Sequence, residues 1–565
     1  MLRPEFRSFA LRTPWLVMAG LALVGCQSET QGIAFTGGES AGTEGPLPTS
    51  SSSSGFGTTE PGTTSSGSSS GATEADDSSE DTSGITFGTP DIPDPPGQVC
   101  TVDPEDGNAP APCTDEAPPD SFEPEVQWSW SGQDQFVEVM ATPLVANLTD
   151  DNDDGEIDLC DTPDVVVVAF PSTLPDLVPV EARLFVLDGE TGDVHFMIEE
   201  NVYWVSHPAL GDIDGDGLVE IIAAAGEDPT ALRLTAFNHD GSILWQGEEL
   251  DGLHSRTVAL ADLDNDDDVE IVTGPYVFDH EGTLLWQSDH LGQALTNAVA
   301  DLDGDDDMEI MMDGIAYHHD GTVYYDHPRE GVLSHPVVFD IDGDMEPEVV
   351  IAGVGLSIVE HDGTLSVDAI LPELVDRVPA AVHDVDSDGL PEILTGGGDS
   401  YSTFEHDLSV KWTVPVADTT GGGAGAAFDF LGDGQAEAMY ADESSLFVFD
   451  TVGEPLLTTP RTSWTQWEYP VVVDVDNDGS AEIIVVSNRG PNYVEDGPPA
   501  VQVIRDADDR WIPARRIWNQ NAYHVTNVRE DGTIPRVEPK HWLGLNTYRT
   551  QAQISDAGQV CRPAG

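Results

Sequence analysis

From about residue 125 onward, short apolar segments alternate with acidic segments in a unit that recurs every 40 to 60 residues or so. Each unit begins with a short apolar strand, which leads into a loop rich in aspartate. A β-branched strand follows, and a tight hairpin ends the unit. The second unit shows the order clearly, with its loop starting at Asp212, a strand over 220–225, another over 232–237 and a turn at Asp240-Gly241. The pattern therefore predicts four strands per unit and an all-β fold.

Repeated four-stranded units are typical of a β-propeller, because radial packing of the blades buries faces that one unit could not bury alone. Eight aspartate loops are present, so we predict eight blades, and seven would follow if one unit were degenerate. Residues 126–130 resemble the last strand of a unit, as in Leu284-Leu285-Trp286. We therefore expect this N-terminal strand to pair with the blade that contains Asp474 and so close the ring.

The eight loops follow the pattern D-x-D-x-D-G-x-x-[DE], in which acidic residues occupy the first, third, fifth and ninth positions. Three copies carry the whole pattern: Asp212, Asp214, Asp216 and Glu220; Asp384, Asp386, Asp388 and Glu392; Asp474, Asp476, Asp478 and Glu482. Three keep the acids but lack the glycine: Asp262, Asp264, Asp266 and Glu270; Asp301, Asp303, Asp305 and Glu309; Asp340, Asp342, Asp344 and Glu348. The first copy is Asp150, Asn152, Asp154 and Asp158, and the seventh retains Asp429, Asp433 and Glu437 with Leu431 at the third position.

This spacing fits Ca²⁺, which takes six to eight oxygen ligands in a flexible shell, whereas Mg²⁺ demands a stricter octahedron. The glycine supplies the turn, so copies without it are expected to be strained. An EF-hand shares the first six positions but continues into a helix and places its acid at position twelve. Here the acid stands at position nine and a β-branched strand follows, as in Glu482-Ile483-Ile484. The sequence therefore argues against an EF-hand.

On these loops the chain resembles the FG-GAP and VCBS-like repeat family, the calcium-loop propellers found also in integrin α-subunit heads, over roughly residues 125–520. The resemblance implies that the ions are structural and hold the turn between the first and second strands of each blade. It is specific for fold and ion, and says little about activity.

Composition narrows the range of partners. Asp and Glu number 105 against 20 Lys and Arg, for a net charge of −85. Nucleic acids and anionic lipid surfaces would be repelled by such a chain. The excess of carboxylates fits either a solvated acidic surface or groups collected to hold cations.

The N-terminal region is predicted to direct export. Arg3, Arg7 and Arg12 precede an apolar run too short for a comfortable membrane span. The run ends at Leu23-Val24-Gly25-Cys26, which resembles the bacterial lipobox, so residues 1–26 read as a signal peptide with lipidation at Cys26. Gln27 follows in place of the Asp that retains enteric lipoproteins at the inner membrane. We therefore expect anchoring to the outer membrane or cell surface.

Residues 27–97 are rich in Ser, Thr, Gly and Pro, and such a composition predicts a disordered acidic tether. A Cys-containing lead-in, 98–124, connects it to the propeller, 125–518. Once Cys26 is set aside, Cys100, Cys113, Cys160 and Cys561 remain, and an even number in an exported protein predicts two disulfides. Three pairings are open.

The C-terminal segment, 519–565, differs from the repeats. Near this end, basic residues interleave with aromatic ones: Arg505, Arg510, Trp511, Arg515, Arg516, Trp518, Tyr523, His524, Arg529, Arg536, Lys540, Trp542, Tyr548, Arg549 and Arg562. We interpret the segment as an internal, salt-bridged cap on the acidic propeller, with a binding face for an anionic glycan or partner protein as the alternative.

Histidines recur near the loops, at His207, His254, His335 and His383. They either cap strand ends or form a metal-binding or catalytic cluster at one mouth of the channel.

Two functions remain. The first is a non-enzymatic, surface-anchored, monomeric calcium propeller that binds an extracellular protein or polysaccharide. The second is a calcium-dependent carbohydrate-active enzyme such as a propeller-fold polysaccharide lyase, which requires basic and aromatic groups converging in one cleft. No general base can be assigned, and the scarcity of Lys and Arg in the repeats favours the binding scaffold.

Overall fold

The computed structural model describes residues 100–561, apart from 102–112, 114–115, 119–120, 173–180, 229–230, 251–256, 289–295, 313, 328–333, 371–377, 420–421, 490–496 and 556–558. The predicted signal peptide, Cys26, the tether and His254 lie outside the described residues. Within the described part, one 3₁₀ helix, His541–Leu543, is the only helix, and the rest of the regular structure is β-strand. None of the described residues forms a helix with the length and hydropathy needed to span a membrane.

The described strands form eight antiparallel sheets, which confirms the predicted eight-bladed propeller. Strand β1 is Pro124–Trp130. Blade 1 contains β2 (Phe136–Val139), β3 (Leu144–Ala146), β4 (Asp164–Pro171), β5 (Arg183–Asp188) and β6 (Val194–Met197). Blade 2 contains β7 (Ala209–Gly211), β8 (Glu220–Ala225), β9 (Leu232–Phe237) and β10 (Ile243–Leu250). Blade 3 contains β11 (Val258–Ala261), β12 (Glu270–Thr273), β13 (Tyr276–Phe278) and β14 (Leu284–Gln287). Blade 4 contains β15 (Ala298–Ala300), β16 (Glu309–Met312), β17 (Ile315–Tyr317) and β18 (Val323–Asp326).

The second half of the ring repeats this order. Blade 5 contains β19 (His335–Phe339), β20 (Glu348–Gly353), β21 (Gly355–Val359) and β22 (Leu365–Ile370). Blade 6 contains β23 (Ala381–His383), β24 (Glu392–Gly397), β25 (Ser400–Phe404) and β26 (Val410–Pro415). Blade 7 contains β27 (Gly425–Phe428), β28 (Glu437–Ala441), β29 (Ser445–Phe449) and β30 (Pro455–Pro460). Blade 8 contains β31 (Val471–Val473), β32 (Glu482–Val486) and β33 (Val501–Asp506), and β1 completes it.

Ring closure follows the sequence prediction, because β1 pairs with β33 of the blade that contains Asp474. The indole of Trp128 on β1 also donates a hydrogen bond to the Gly189 carbonyl of blade 1, at 2.6 Å. One strand therefore joins the first blade to the last.

Two disulfides join parts of the chain that are distant in sequence. Cys113 of the lead-in is bonded to Cys561 near the C-terminal end, and Cys100 is bonded to Cys160 in the first aspartate loop.

Residues near the C-terminus pack against the inner strands of the blades. The backbone of Trp518 exchanges two hydrogen bonds with Val145 of β3, at 2.9 and 3.0 Å, and the backbone of Tyr548 pairs in the same way with Val382 of β23. Trp518 and Tyr548 are fully buried. The guanidinium of Arg549 is also buried and donates to the Ala380 carbonyl at 2.9 Å. Basic and aromatic residues near the C-terminus are thus packed into the propeller.

Candidate metal centres

The aspartate loops join the first and second strands of the blades, so all of them lie at one end of the inner strands. The loop of blade 2 shows how the sequence shapes them. The Asp212 carboxylate accepts hydrogen bonds from the N–H groups of Gly215 and Gly217, at 2.8 and 3.1 Å. Gly217, at the sixth position, has φ of +87°. These contacts curl the backbone around the first carboxylate.

The same turn forms in the loops that lack the glycine. Their sixth residues, Asp267, Asp306 and Met345, have φ of 74°, 76° and 76°. A non-glycine residue in the left-handed region costs of order 1 kcal/mol. The expected strain is therefore present in these three loops, and the loop shape is kept in spite of it.

The glutamate at the ninth position is held by one recurring hydrogen bond. In seven loops its Oε2 accepts the N–H of the second loop residue, at 2.8 to 3.0 Å. Each of these glutamates begins the second strand of its blade and is buried. The second oxygen differs between loops. In blades 5 and 8, Oε1 of Glu348 and of Glu482 is buried and has no hydrogen-bond partner among the described residues.

Burial makes these carboxylates unfavourable as isolated charges. It raises the pKa of Glu220, Glu270 and Glu348 from 4.5 to about 8, and the neighbouring aspartates add to the effect. In blade 8, burial raises the pKa of both Asp474 and Glu482 well above their ordinary values. In blade 2, one carboxylate oxygen each from the first, third and ninth positions lies within 4.8 Å of the others. Converging carboxylate oxygens of this kind are ligands that Ca²⁺ prefers.

In blade 1 the structure places the acids differently from the alignment of the repeats. Asp150 accepts the N–H groups of Asp154 and Gly155, at 3.1 and 2.9 Å, as the first residue does elsewhere. The ninth residue, Asp158, instead accepts the N–H of Cys160, at 2.8 Å. The second-position N–H, that of Asp151, donates to Asp161 Oδ1 at 3.1 Å.

Asp161 is fully buried and is the twelfth residue of its loop. Its spacing is that of the last ligand in an EF-hand loop, although a strand rather than a helix follows. Sequence reasoning missed Asp161 because the nine-residue repeat was applied to this loop, and the acid at position twelve was the signal that could have identified it.

Strand register identifies another residue of blade 1. Asp164 begins β4 and pairs with Ala146, as Glu220 begins β8 and pairs with Gly211. Its Oδ2 accepts the N–H of Leu148 at 2.9 Å, which reproduces the bond made by the ninth-position glutamates. Because Ala146 and Asp164 are 18 residues apart, against nine for Gly211 and Glu220, the first aspartate loop contains nine more residues than the loop of blade 2.

Beside this longer loop, His195 reaches the Asp164 carboxylate. Its Nε2 lies 3.4 Å from Asp164 Oδ1, 3.5 Å from Asp151 Oδ1 and 3.6 Å from Asp188 Oδ2. Blade 1 thus holds two separate groups of carboxylates.

The weakened loop of blade 7 has an alternative use for its apolar residue. Leu431 packs in the hydrophobic cluster of blades 7 and 8 with Phe122 of the lead-in, and its carbonyl accepts the N–H of Ala117 at 2.7 Å. Asp429 is still buried, and its pKa rises to about 6. The lost ligand position therefore serves to dock the lead-in.

In blades 4 and 6, basic side chains lie on the loop carboxylates. In blade 6, Lys411 Nζ lies 3.2 Å from Glu392 Oε1 and 3.1 Å from Glu405 Oε1, and it also contacts Asp386. In blade 4, His318 Nδ1 lies 2.8 Å from Glu309 Oε1, and Lys540 Nζ lies 2.9 Å from Asp301 Oδ2. The chain has only these two lysines.

The histidines do not form one cluster. His207 and His335 precede or begin inner strands and flank Trp467, with ring centroids 6.5 and 5.7 Å away. Burial lowers the pKa of His207 to about 4 and that of His335 to about 3, so both are neutral at physiological pH. His383, in contrast, is the last residue of β23, at the end of the inner strand that leads into the aspartate loop. There it lines a cavity of about 650 Å³.

Comparison with known proteins supports the fold. No protein-family model matches the chain, and no curated protein matches it by sequence. Among solved structures, the biofilm matrix protein Bap1 of V. cholerae is similar, with a TM-score of 0.66, 20% identity, and coverage of 78% of this chain and 100% of that chain. The Bacillus licheniformis rhamnogalacturonan lyase PL11 is more distant, with a TM-score of 0.46, 16% identity, and coverage of 77% and 80%. At these identities the likeness shows the propeller fold alone.

Proposed function

We propose that this protein is an extracellular propeller whose aspartate loops bind structural Ca²⁺ and which acts as an adhesion scaffold for a protein or polysaccharide. One observation carries the calcium assignment. The buried Oε1 atoms of Glu348 and Glu482 have no hydrogen-bond partner within the described part of the chain and belong to groups of carboxylates. A buried polar atom without a partner is costly, and a cation supplies the missing contact.

The residues that would hold the ion are those at the first, third, fifth and ninth positions of each loop. In blade 8 they are Asp474, Asp476, Asp478 and Glu482. A bound divalent ion would neutralise like charges that repel one another and would fix the end of the inner strand relative to the second strand. Rigid loops around a ring would present a stable binding surface.

Three observations support the extracellular and adhesive part of the proposal. The two disulfides are typical of exported proteins. The lipobox-like sequence before Cys26 would anchor the chain to the outer membrane or cell surface. Bap1, the similar propeller from V. cholerae, is a biofilm matrix protein. We further propose that the protein acts as a monomer and reaches the membrane only through its lipid.

The lyase alternative is less well supported, because a lyase requires basic and aromatic groups that converge in one cleft. Two buried arginines near the C-terminus instead make internal contacts. Arg549 donates to the carbonyls of Ala380 and Asn521, at 2.9 and 3.0 Å. Arg515 donates to the Val525 carbonyl at 2.7 Å and to the Tyr523 hydroxyl at 3.0 Å. These side chains hold the C-terminal segment in place.

Binding and lysis can be separated in one experiment on the Cys26→Ser chain, which would be soluble. We expect saturable binding to an extracellular polysaccharide or matrix protein in an immobilised panel when calcium is present, and loss of binding after chelation. The same polysaccharides would be assayed for unsaturated sugar products. Appearance of those products would favour the lyase. If the protein bound no member of the panel, the scaffold function would be contradicted. Localisation has its own test, since the wild-type chain should fractionate with membranes and Cys26→Ser should not.

A further inference from the structure

The second oxygen of the ninth-position glutamate has a different environment in blade 6 than in blades 5 and 8. In the two latter blades, Oε1 of Glu348 and of Glu482 has no hydrogen-bond partner among the described residues. In blade 6, Oε1 of Glu392 accepts a hydrogen bond from Lys411 at 3.2 Å. In all three loops Oε2 is used identically, since it accepts the N–H of the second loop residue. The difference is therefore confined to the atom that would face a metal ion.

We infer that the ammonium group of Lys411 takes the place of the calcium ion in blade 6, so that this loop is complete without a divalent cation. This inference rests on the proposed binding of calcium by the other loops. It assigns Lys411 a role in setting how many ions the propeller binds.

The geometry around Lys411 suits that role. Its Nζ donates to Glu392 of the ninth position, to Asp386 of the third position and to Glu405 at 3.1 Å. A lysine ammonium has three N–H donors and no acceptor, so three carboxylates satisfy it fully. The side chain is 13% exposed, which places the charge inside the loop region. A calcium ion entering the same carboxylates would have to displace the ammonium or lie beside it.

Blade 5 provides an internal comparison, because its outer hairpin has the same irregularity. In blade 6, Phe404 pairs with Val410 and Thr403 pairs with Trp412, which leaves Lys411 unpaired in the bulge. In blade 5 the corresponding pairs are Val359 with Leu365 and Ile358 with Val367, which leave Ser366 in the bulge.

The residues around the two bulge positions also correspond. Glu360 of blade 5 occupies the turn position that Glu405 has in blade 6. The Ser366 hydroxyl donates a hydrogen bond to the Ile358 carbonyl at 3.2 Å, and it carries no charge that could replace a cation. At this bulge position the two blades therefore differ in whether the residue carries a charge.

The alternative is that Lys411 makes an ordinary surface ion pair, from which calcium displaces the ammonium group. Two observations argue against it. The Lys411 side chain is only 13% exposed, and its ammonium donates to three carboxylates rather than to one. The tethered ammonium also loses less freedom on binding than a free ion does, which favours it locally.

Reciprocal substitutions test the inference in the full chain with Cys26→Ser. Tightly bound calcium would be counted by native mass spectrometry and by equilibrium dialysis against radioactive calcium. Lys411→Ser gives blade 6 the residue of blade 5 and should add one calcium ion per chain. Ser366→Lys places the lysine in blade 5 and should remove one ion. Arg233→Ser serves as the control, because Arg233 is half-exposed and pairs with Glu249 away from the loops, and should leave the count unchanged.

The outcomes separate this inference from the proposed function. Calcium on the wild type with an unchanged count in Lys411→Ser would overturn the inference alone. No calcium on any variant would overturn both. If Lys411→Ser does not fold, Ser366→Lys decides, and an unchanged count in that variant would equally refute the role of the ammonium.

Discussion

Replacement of Glu220 by Gln should change the stability of the protein in opposite directions with and without calcium. Glu220 is 1% exposed, and its Oε2 accepts the N–H of Ile213 at 3.0 Å. A glutamine oxygen can keep that bond while removing the charge. The variant therefore separates the repulsion within the loop from its hydrogen bonding.

The magnitude follows from the pKa of Glu220. Burial, followed by the neighbouring Asp214 and Asp212, raises that pKa from 4.5 to about 8. When folding raises the pKa of an acid, the acid does not destabilise the fold at a pH below its pKa in the unfolded chain. As the pH rises from that value towards the pKa in the folded state, the free energy of unfolding falls. At pH 7 without calcium, the loss amounts to about 3 kcal/mol, at roughly 1.4 kcal/mol per pKa unit. Glutamine does not titrate and avoids this loss.

We therefore expect Glu220→Gln to raise the melting temperature in chelator at pH 7 by roughly 3–6 °C, since a domain of this size shifts by about 1–2 °C per kcal/mol. In calcium the order should reverse, because the variant lacks one charged ligand and gains less from the ion. Differential scanning calorimetry in chelator and in calcium measures both effects. Glu248→Gln, an exposed change of equal charge on the same blade, is the control. The reasoning would be refuted if Glu220→Gln melted at a lower temperature than the wild type in chelator. It would also be refuted if calcium raised the melting temperatures of both proteins equally.

Three further outcomes test other parts of the structure. Without calcium, the wild-type melting temperature should decrease as the pH is raised from about 5 to 8, because the buried glutamates with pKa near 8 must ionise. Calcium should make this pH profile flatter, and a flat profile in chelator would contradict the electrostatic argument. Trp518→Ala should cost about 3–5 kcal/mol in calorimetry, because its fully buried indole packs in a hydrophobic cluster against Tyr469 and Tyr523. Trp518→Phe should cost less, and equal costs would speak against a packing role. Cys113→Ser should lower stability by about 2–5 kcal/mol through loss of the bond to Cys561, and a reductant should then have less effect on the variant than on the wild type.

The repeat grammar of the sequence was sufficient to predict the architecture. Short apolar strands, hairpin turns and an acidic loop recur in every blade, and each of these signals is local. The closure by β1 was also predictable, because a strand with the pattern of a fourth strand stood alone at the start of the repeats. These patterns were sufficient because each one encodes the backbone conformation of a few neighbouring residues.

The exact acids of blade 1 depended on register, which local patterns do not reveal. Asp164 corresponds to the ninth-position glutamates because of its pairing with Ala146, and that equivalence is hidden by an insertion in the sequence. Asp161, in contrast, could have been identified from its spacing, because it is the twelfth residue of its loop; it accepts the N–H of Asp151, the second loop residue.

The sequence by itself determined that this chain is an all-β repeat protein with eight acidic loops, because hydrophobic periodicity and turn residues act over a few neighbours. Only the tertiary structure decided which distant groups meet those loops. Oε1 of Glu392 accepts a hydrogen bond from Lys411 of an outer hairpin, whereas the structure describes no hydrogen-bond partner for Oε1 of Glu482 among the residues it covers. The disulfide partner of Cys113 lies 448 residues away. Such contacts are set by the packing of strands far apart in the chain, and their energies are those of burial and charge, which spacing along the sequence does not encode.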